Sequence, residues 1–117
     1  EEVIGMKKIE AIIRPTKLEE LKGALNELEV RGMTIYNVMG RGLQKDIKQY
    51  YRGQEVWVDL FPKVKIEIVS PDEAVEQIVQ RIQEVCRTGQ IGDGKIFIYP
   101  VENIIRIRTR EEGEKAL

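Results

Sequence analysis

Between Thr88 and Pro100 the chain reads TGQIGDGKIFIYP, which places three glycines, an aspartate and a lysine ahead of an apolar run. Backbone N–H groups of a glycine turn can close on an anion because no Cβ intervenes, and a lysine adds a mobile positive charge. Taken alone, GDGK is more often a plain turn entering a strand than a phosphate site. Two further basic groups accompany it, GRGLQK at 40–45 and RIR at 106–108. Read as strand residues, Arg106 and Arg108 are two apart and point from one face, which suits either a polyphosphate clamp or a solvated surface. The G-x-x-x-x-G-K-[ST] spacing of a P-loop is absent. Residue types also exclude chemistry. The chain has no histidine, so it lacks the usual general base and the commonest metal ligand, which counts against most hydrolytic mechanisms. Its single cysteine, Cys86, permits no disulfide within the chain and is compatible with a reducing compartment.

These groups need a frame, and the periodicity supplies one. MKKIEAIIRP alternates as a strand with Ile9, Ala11 and Ile13 on one face, and Pro15 stops it. TKLEELKGALNELEVRG reads as a helix, with Thr16 and Glu19 at capping-box spacing, Leu18, Leu21, Leu25 and Leu28 as its apolar stripe, and Gly32 closing it. MTIYNVMGRG is a second strand. The plan then repeats. In WVDLFPKVKIEIV, Val64, Ile66 and Ile68 alternate against Lys63, Lys65 and Glu67. A helix follows with Ser70 as cap, Pro71 in its first position and Glu73 completing the box. Val75, Ile78, Val79, Ile82, Val85 and Cys86 face inward, so Cys86 reads as core filling, and Gly89 ends the helix. KIFIYPVENIIRIR is the last strand, interrupted at Pro100. The order βαβ–βαβ predicts an α+β, ferredoxin-like split sandwich: an antiparallel sheet with two helices on one face. From Leu43 to about Val56 no helical or strand period is visible, so a long arm joins strands 2 and 3.

At 117 residues a single domain is expected. With 42% hydrophobic and 33% charged residues the composition is that of a soluble globular chain. A net charge of −1 sets up no global field for nucleic acid or an anionic membrane. The strands also lack the aromatic stacking motif of RNA-binding sandwiches. No apolar run reaches the roughly 18 to 20 residues of a membrane span, and no signal peptide opens the chain. Met6 has the character of a start, with residues 1–5 an N-terminal extension, and the cytoplasm is the expected location.

TGQIGDGKIFIYPVENIIRIRT, together with MKKIEAIIRPTKLEELKGAL, GMTIYNVMGRGLQK and YRGQEVWVDLFPKVKIEIV, closely resembles the PII nitrogen-regulatory signal proteins from Met6 to about Leu117. The resemblance implies a homotrimer of ferredoxin-like subunits with nucleotide sites in the clefts between neighbours. It places Gly92, Asp93, Gly94 and Lys95 around the phosphates of ATP or ADP, with Arg106 and Arg108 reaching them across the interface. Gly32, Met33, Thr34 and Val69 resemble the segments lining adenine and ribose. Gln44 matches the glutamine that ligates Mg²⁺ beside the ATP phosphates. Lys63 matches the lysine that pairs with 2-oxoglutarate, in a pocket completed by backbone around Gly42, Lys45 and Gly92. A dianion beside a triphosphate needs a divalent cation and a lysine to offset the charge, so effector binding should depend on Mg·ATP, and the coupling must be reciprocal.

The arm resembles the family's mobile T-loop, here 42–60, which answers to bound ligands and inserts into targets such as ammonium transporters. A transporter is therefore the expected partner, and the only expected route to a membrane. Glutamine synthetase or another nitrogen-metabolism protein is a further possibility. Two positions depart from the family pattern. Val56 stands where many bacterial members carry a uridylylated tyrosine, and Gln54 stands where some cyanobacterial members carry a phosphorylated serine, so covalent control is not expected. Leu43 stands where many members place an arginine that reaches the ATP phosphates. The expected function is a non-enzymatic sensor of ATP/ADP and 2-oxoglutarate. The alternative is an adenylate-only sensor that has lost the 2-oxoglutarate response.

Overall fold

In a computed structural model of the chain, residues 5–42, 48–51, 54–57 and 60–117 are described, the two short segments by their backbone only. Strand β1 spans Met6–Ile13, β2 Thr34–Arg41, β3 Lys48–Tyr51, β4 Gln54–Trp57, β5 Leu60–Pro71 and β6 Lys95–Val101; helix α1 spans Leu18–Glu27 and α2 Asp72–Cys86. The main sheet has the order β2-β5-β1-β6, and all three of its pairings are antiparallel. The strand period of two decides which side chains are buried. Ile9, Ala11 and Ile13 of β1 and Val64, Ile66 and Ile68 of β5 are buried. The register sets Ile9 beside Ile68 and Ile98, and Ala11 beside Ile66 and Ile96. Against this face pack Leu21 and Leu25 of α1 and Ile78, Ile82 and Cys86 of α2, in one core with Leu18, Leu28, Val75, Val79 and Val85 around it. The split sandwich with both helices on one face is the arrangement that the alternation implied.

The opposite face of the sheet carries a polar and aromatic ladder. Lys8 pairs with Glu67 at 3.0 Å and lies over the Tyr99 ring at 4.7 Å. Lys65 lies over Tyr36 at 4.4 Å, and the Tyr99 hydroxyl donates to Glu10 at 3.4 Å. Hydrogen bonds first from Tyr36 and then from Lys8 hold the Glu67 carboxyl below its ordinary range.

Both expected capping boxes are replaced. Pro15–Lys17 form a 3₁₀ turn, so Lys17 occupies the N-cap position of α1 and no side chain caps it. The fixed φ of Pro15 starts a tight turn before Thr16 can serve as cap. For α2, β5 runs on to Pro71, which is itself the N-cap with no side-chain bond. Ser70 is the next inward position of the strand and is 4% exposed, with its hydroxyl donating to Pro71 O at 3.2 Å. The strand period thus prevails over the capping signature. Helix α1 stops at Glu27 rather than near Gly32, because Glu29 adopts φ 60°. Val30 N then donates to Leu25 O and Glu29 N to Asn26 O, a Schellman closure built on a non-glycine residue.

The last strand is also corrected. It passes through Pro100, which an edge strand tolerates, and ends at Val101. Beyond it Ile105 bridges only Glu112, and Arg106 N donates to Glu111 O while Arg110 N donates to Arg106 O. Arg106 and Arg108 therefore sit on a tight C-terminal turn, not on a strand. In the arm, where no period was visible, β3 and β4 form an antiparallel pair from Lys48↔Trp57 to Tyr51↔Gln54. Its four-residue strands are too short to show a pattern.

Candidate anion-binding site

The glycine segment after α2 is shaped from within by Asp93. Its carboxylate accepts from Thr88 N at 2.8 Å and Gly89 N at 2.9 Å. It also accepts from the Thr88 hydroxyl and from Arg14 Nε at 3.2 Å. The Thr88 hydroxyl bond above all, helped by the Thr88 and Gly89 amides and Arg14, holds this carboxyl far below the usual carboxylate range, overcoming the opposing effect of burial. These bonds draw Thr88 and Gly89 away from helical geometry, which is why α2 ends at Cys86 before reaching Gly89. Arg14 donates again, from Nη2 to Ile91 O at 2.9 Å, and ties the segment to the end of β1. Gly89, Gly92 and Gly94 take φ of 88°, 104° and 106°. At Gly94 a Cβ would lie 1.7 Å from Ile12 O, so only glycine lets this turn lie against β1.

A concavity of about 310 Å³ opens beside this turn, lined among others by Gly42, Lys63, Gly92, Gly94, Lys95 and Phe97. Lys63 projects into it from β5 and donates to Gly92 O at 2.6 Å. Burial, followed by repulsion from Arg14, lowers the Lys63 pKa, with Asp93 acting weakly against them. Lys63 is thus a partly desolvated cation whose one hydrogen bond among the described residues goes to a neutral carbonyl. An anion would be a better partner. Lys95 is exposed and makes no ion pair among the described residues.

A second concavity, of about 720 Å³, is lined by Gly32, Met33, Thr34 and Val69 together with Ile104 and the segment Glu114 to Leu117. Arg106 adjoins it, with Nη2 donating to Leu117 O at 2.7 Å and Ala116 O at 3.4 Å. Arg108 is exposed on the same turn.

The residues singled out in the sequence therefore fall into two groups on one chain. Gly42, Lys63, Gly92, Gly94 and Lys95 share one concavity; Gly32, Met33, Thr34 and Val69 share the other. Asp93 turns its carboxylate toward Thr88, Gly89 and Arg14. Gln44 and Lys45 lie outside the described residues, as do Leu43 and the side chains of Gln54 and Val56. Among the described residues no group of three or more His, Cys, Asp or Glu could hold a metal ion, and Asp93 is already committed. Sequence reasoning missed Arg14, because an arginine before a proline at a strand end carries no signal of its distant partners. It also missed residues 114–117 as part of a concavity wall. Among the described residues no helix is long and apolar enough to cross a membrane.

The fold is thus an α+β split sandwich in which a braced glycine turn lies beside a partly desolvated lysine. The family model "Nitrogen regulatory protein P-II" matches residues 6–111. Nitrogen regulatory protein P-II of Pasteurella multocida is 54% identical over 112 residues, covering 96% of this chain and 100% of the relative. Nitrogen regulatory protein P-II 2 of Methanothermobacter thermautotrophicus is 53% identical over 115 residues, covering 98% and 100%. Among solved structures, a B. subtilis GlnK–ATP complex superposes with TM-score 0.79 at 38% identity, covering 97% of this chain and 98% of that one. Arabidopsis thaliana PII bound to citrate superposes with TM-score 0.77 at 40% identity, covering 95% and 88%. The chain belongs to the nitrogen regulatory protein P-II family, whose members are signalling proteins.

Proposed function

We propose that the chain senses ATP or ADP together with 2-oxoglutarate and regulates nitrogen assimilation as a homotrimer in the cytoplasm. The observation that carries this reading is the pairing of Lys63 and Lys95 with the Gly92–Gly94 turn in one concavity, while Gly32, Met33, Thr34 and Val69 line another. A nucleotide must reach both groups, so each complete site draws one concavity from each of two neighbouring copies. The ladder face of the sheet, with Tyr36, Phe97 and Tyr99 about 40% exposed, is the surface that copies would bury. Citrate and ATP in the two solved relatives accord with a site for carboxylates and phosphates.

In this reading the Gly92–Gly94 amides and Lys95 hold the phosphates, joined by Arg106 and Arg108 of a neighbour. Asp93 keeps the turn in shape. Mg²⁺, when bound by the phosphates and Gln44, supplies the charge neutralisation that lets a dianion approach. Lys63 exchanges Gly92 O for a carboxylate of 2-oxoglutarate, and the opposite charge raises its pKa again. Gln44 and Lys45 stand at the root of the 42–60 arm, so ligation there biases how the arm presents the β3–β4 hairpin to a target. An ammonium transporter is the favoured partner, with glutamine synthetase or another nitrogen-metabolism protein next. No covalent modification is required, in keeping with Val56.

Calorimetric titration of 2-oxoglutarate with and without saturating Mg·ATP tests this. Heat only in the presence of Mg·ATP is expected. ATP binding with no 2-oxoglutarate heat under either condition would replace the reading with an adenylate-only sensor.

A further inference from the structure

Two cations hold successive carbonyl groups of the glycine turn, an arrangement whose consequence rests on the nucleotide reading above. Arg14, one residue past β1, donates from Nη2 to Ile91 O at 2.9 Å and from Nε to the Asp93 carboxylate at 3.2 Å. Lys63 of β5 donates to Gly92 O at 2.6 Å. In a trans peptide the N–H points opposite to the C=O of its own plane. The bond at Ile91 O therefore turns Gly92 N–H away from Arg14, and the bond at Gly92 O turns Asp93 N–H away from Lys63. Gly92 has φ 104°, and a glycine adopts negative φ about as readily. The orientation of these two amides is thus set by donors outside the turn rather than by Gly92 itself. Arg14 is well anchored: its O accepts from Lys17 N at 3.0 Å, and its planar fork fixes the separation of Ile91 O from Asp93. Asp93 in turn accepts from Thr88 N and Gly89 N at the start of the same segment.

The two cations differ in how they meet a ligand. Lys63 lines the 310 Å³ concavity and Arg14 does not. Lys63 bonds a neutral carbonyl, which an anion outcompetes as an acceptor, whereas the Arg14 guanidinium already faces a carboxylate. We propose that Arg14 is a positioning residue for anion binding: its two-pronged hold on Ile91 O and Asp93 keeps the Gly92–Lys95 amides turned toward phosphate when Lys63 leaves Gly92 O for a second anion. Arg14 thereby lets one turn serve two anions at once. Lys63 and Arg14 are overlapping holds on the same segment, so losing both costs more than the two separate losses combined.

Calorimetric titration of Mg·ATP into the parent, Lys63→Ala, Arg14→Gln and the double variant tests this. The affinity lost in the double variant should exceed the product of the two single losses by about tenfold, a coupling of the size found between residues that share partners. Two positive charges that each merely attract ATP would instead give a simple product. Arg14→Lys keeps a cation beside Asp93, so lysine in place of glutamine in the Lys63→Ala background should recover most of the excess. Hydrogen exchange at the Gly92 to Lys95 amides, without nucleotide, should be fastest in the double variant, while the Ile9 and Ile66 amides of the core strands match the parent. Where Arg14→Gln fails to fold, Asp93→Asn breaks the same contact from its other end and takes its place in the cycle. A simple product of the single losses, no recovery by lysine, or faster exchange spread into β1 and β5 overturns the assignment and leaves the nucleotide reading intact. No Mg·ATP binding by the parent overturns both.

Discussion

Gly94→Ala puts the frame of the site to its sharpest test. The residue sits at φ 106°, where a side chain costs about 1–3 kcal/mol. Its new methyl group would stand 1.7 Å from the carbonyl oxygen of Ile12, against an ordinary contact of 3.4 Å or more. That oxygen belongs to a strand paired on both sides, to β5 and β6, so the turn rather than β1 must give way. The Lys95–Ile12 end of the β6 pairing would open with it. Overpacking of this kind adds about 1–3 kcal/mol. The sum, about 2–6 kcal/mol, is a large share of the roughly 5–15 kcal/mol that holds an ordinary domain together. Gly23→Ala is the control. Gly23 is exposed on α1 and a Cβ there meets nothing within 4 Å, so the same substitution should stabilise by about 0.5–1 kcal/mol. Urea unfolding followed by circular dichroism, at one fixed protomer concentration because assembly would shift the midpoint, reads both. A Gly94→Ala loss below about 1 kcal/mol, or a Gly23→Ala loss of similar size, would refute the reasoning.

Three further outcomes are expected. The Asp93 carboxyl is depressed on folding, so its contribution is complete above the unfolded value of about 4 and is lost as pH falls below it; Glu67 acts in the same direction. Asp93→Asn should therefore be less stable than the parent at pH 7 and lose less on acidification from pH 5 to pH 2 in thermal melts, and parallel curves for the two proteins would count against the brace. The Cys86 thiol is pushed up to about 11 by burial, leaving about a hundredfold less thiolate at pH 8 than a free cysteine; a thiol reagent should label it slowly in the native chain and quickly in denaturant, and fast native labelling would contradict the core assignment. Lys63→Ala should weaken 2-oxoglutarate binding at least about tenfold while Mg·ATP affinity changes little, and full retention of effector binding by calorimetry would remove Lys63 from the site.

The alternation in β1 and β5 and the two apolar helix stripes were legible because burial on one face imposes a period on the sequence. Ile9, Ala11, Val64, Ile66, Leu21, Ile78 and Cys86 are buried as that period requires. Element ends were less legible. Thr16 and Ser70 carry capping signatures, yet a proline turn took over from one and a continuing strand from the other. The β3–β4 pair was invisible because four-residue strands are too short to display alternation.

By itself, then, the sequence determined the split sandwich, the inward faces of its elements and the family, since these follow from local periodicity and from a contiguous motif. Only the tertiary structure decided that Asp93 works inside its own turn with Arg14, 79 residues away in sequence. It alone decided that Lys63 meets Gly92 O and that Arg106 donates to Leu117 O. Each of these depends on where a side chain finds the partner that offsets its desolvation, and that partner is chosen by the packing of distant segments, which no local pattern encodes.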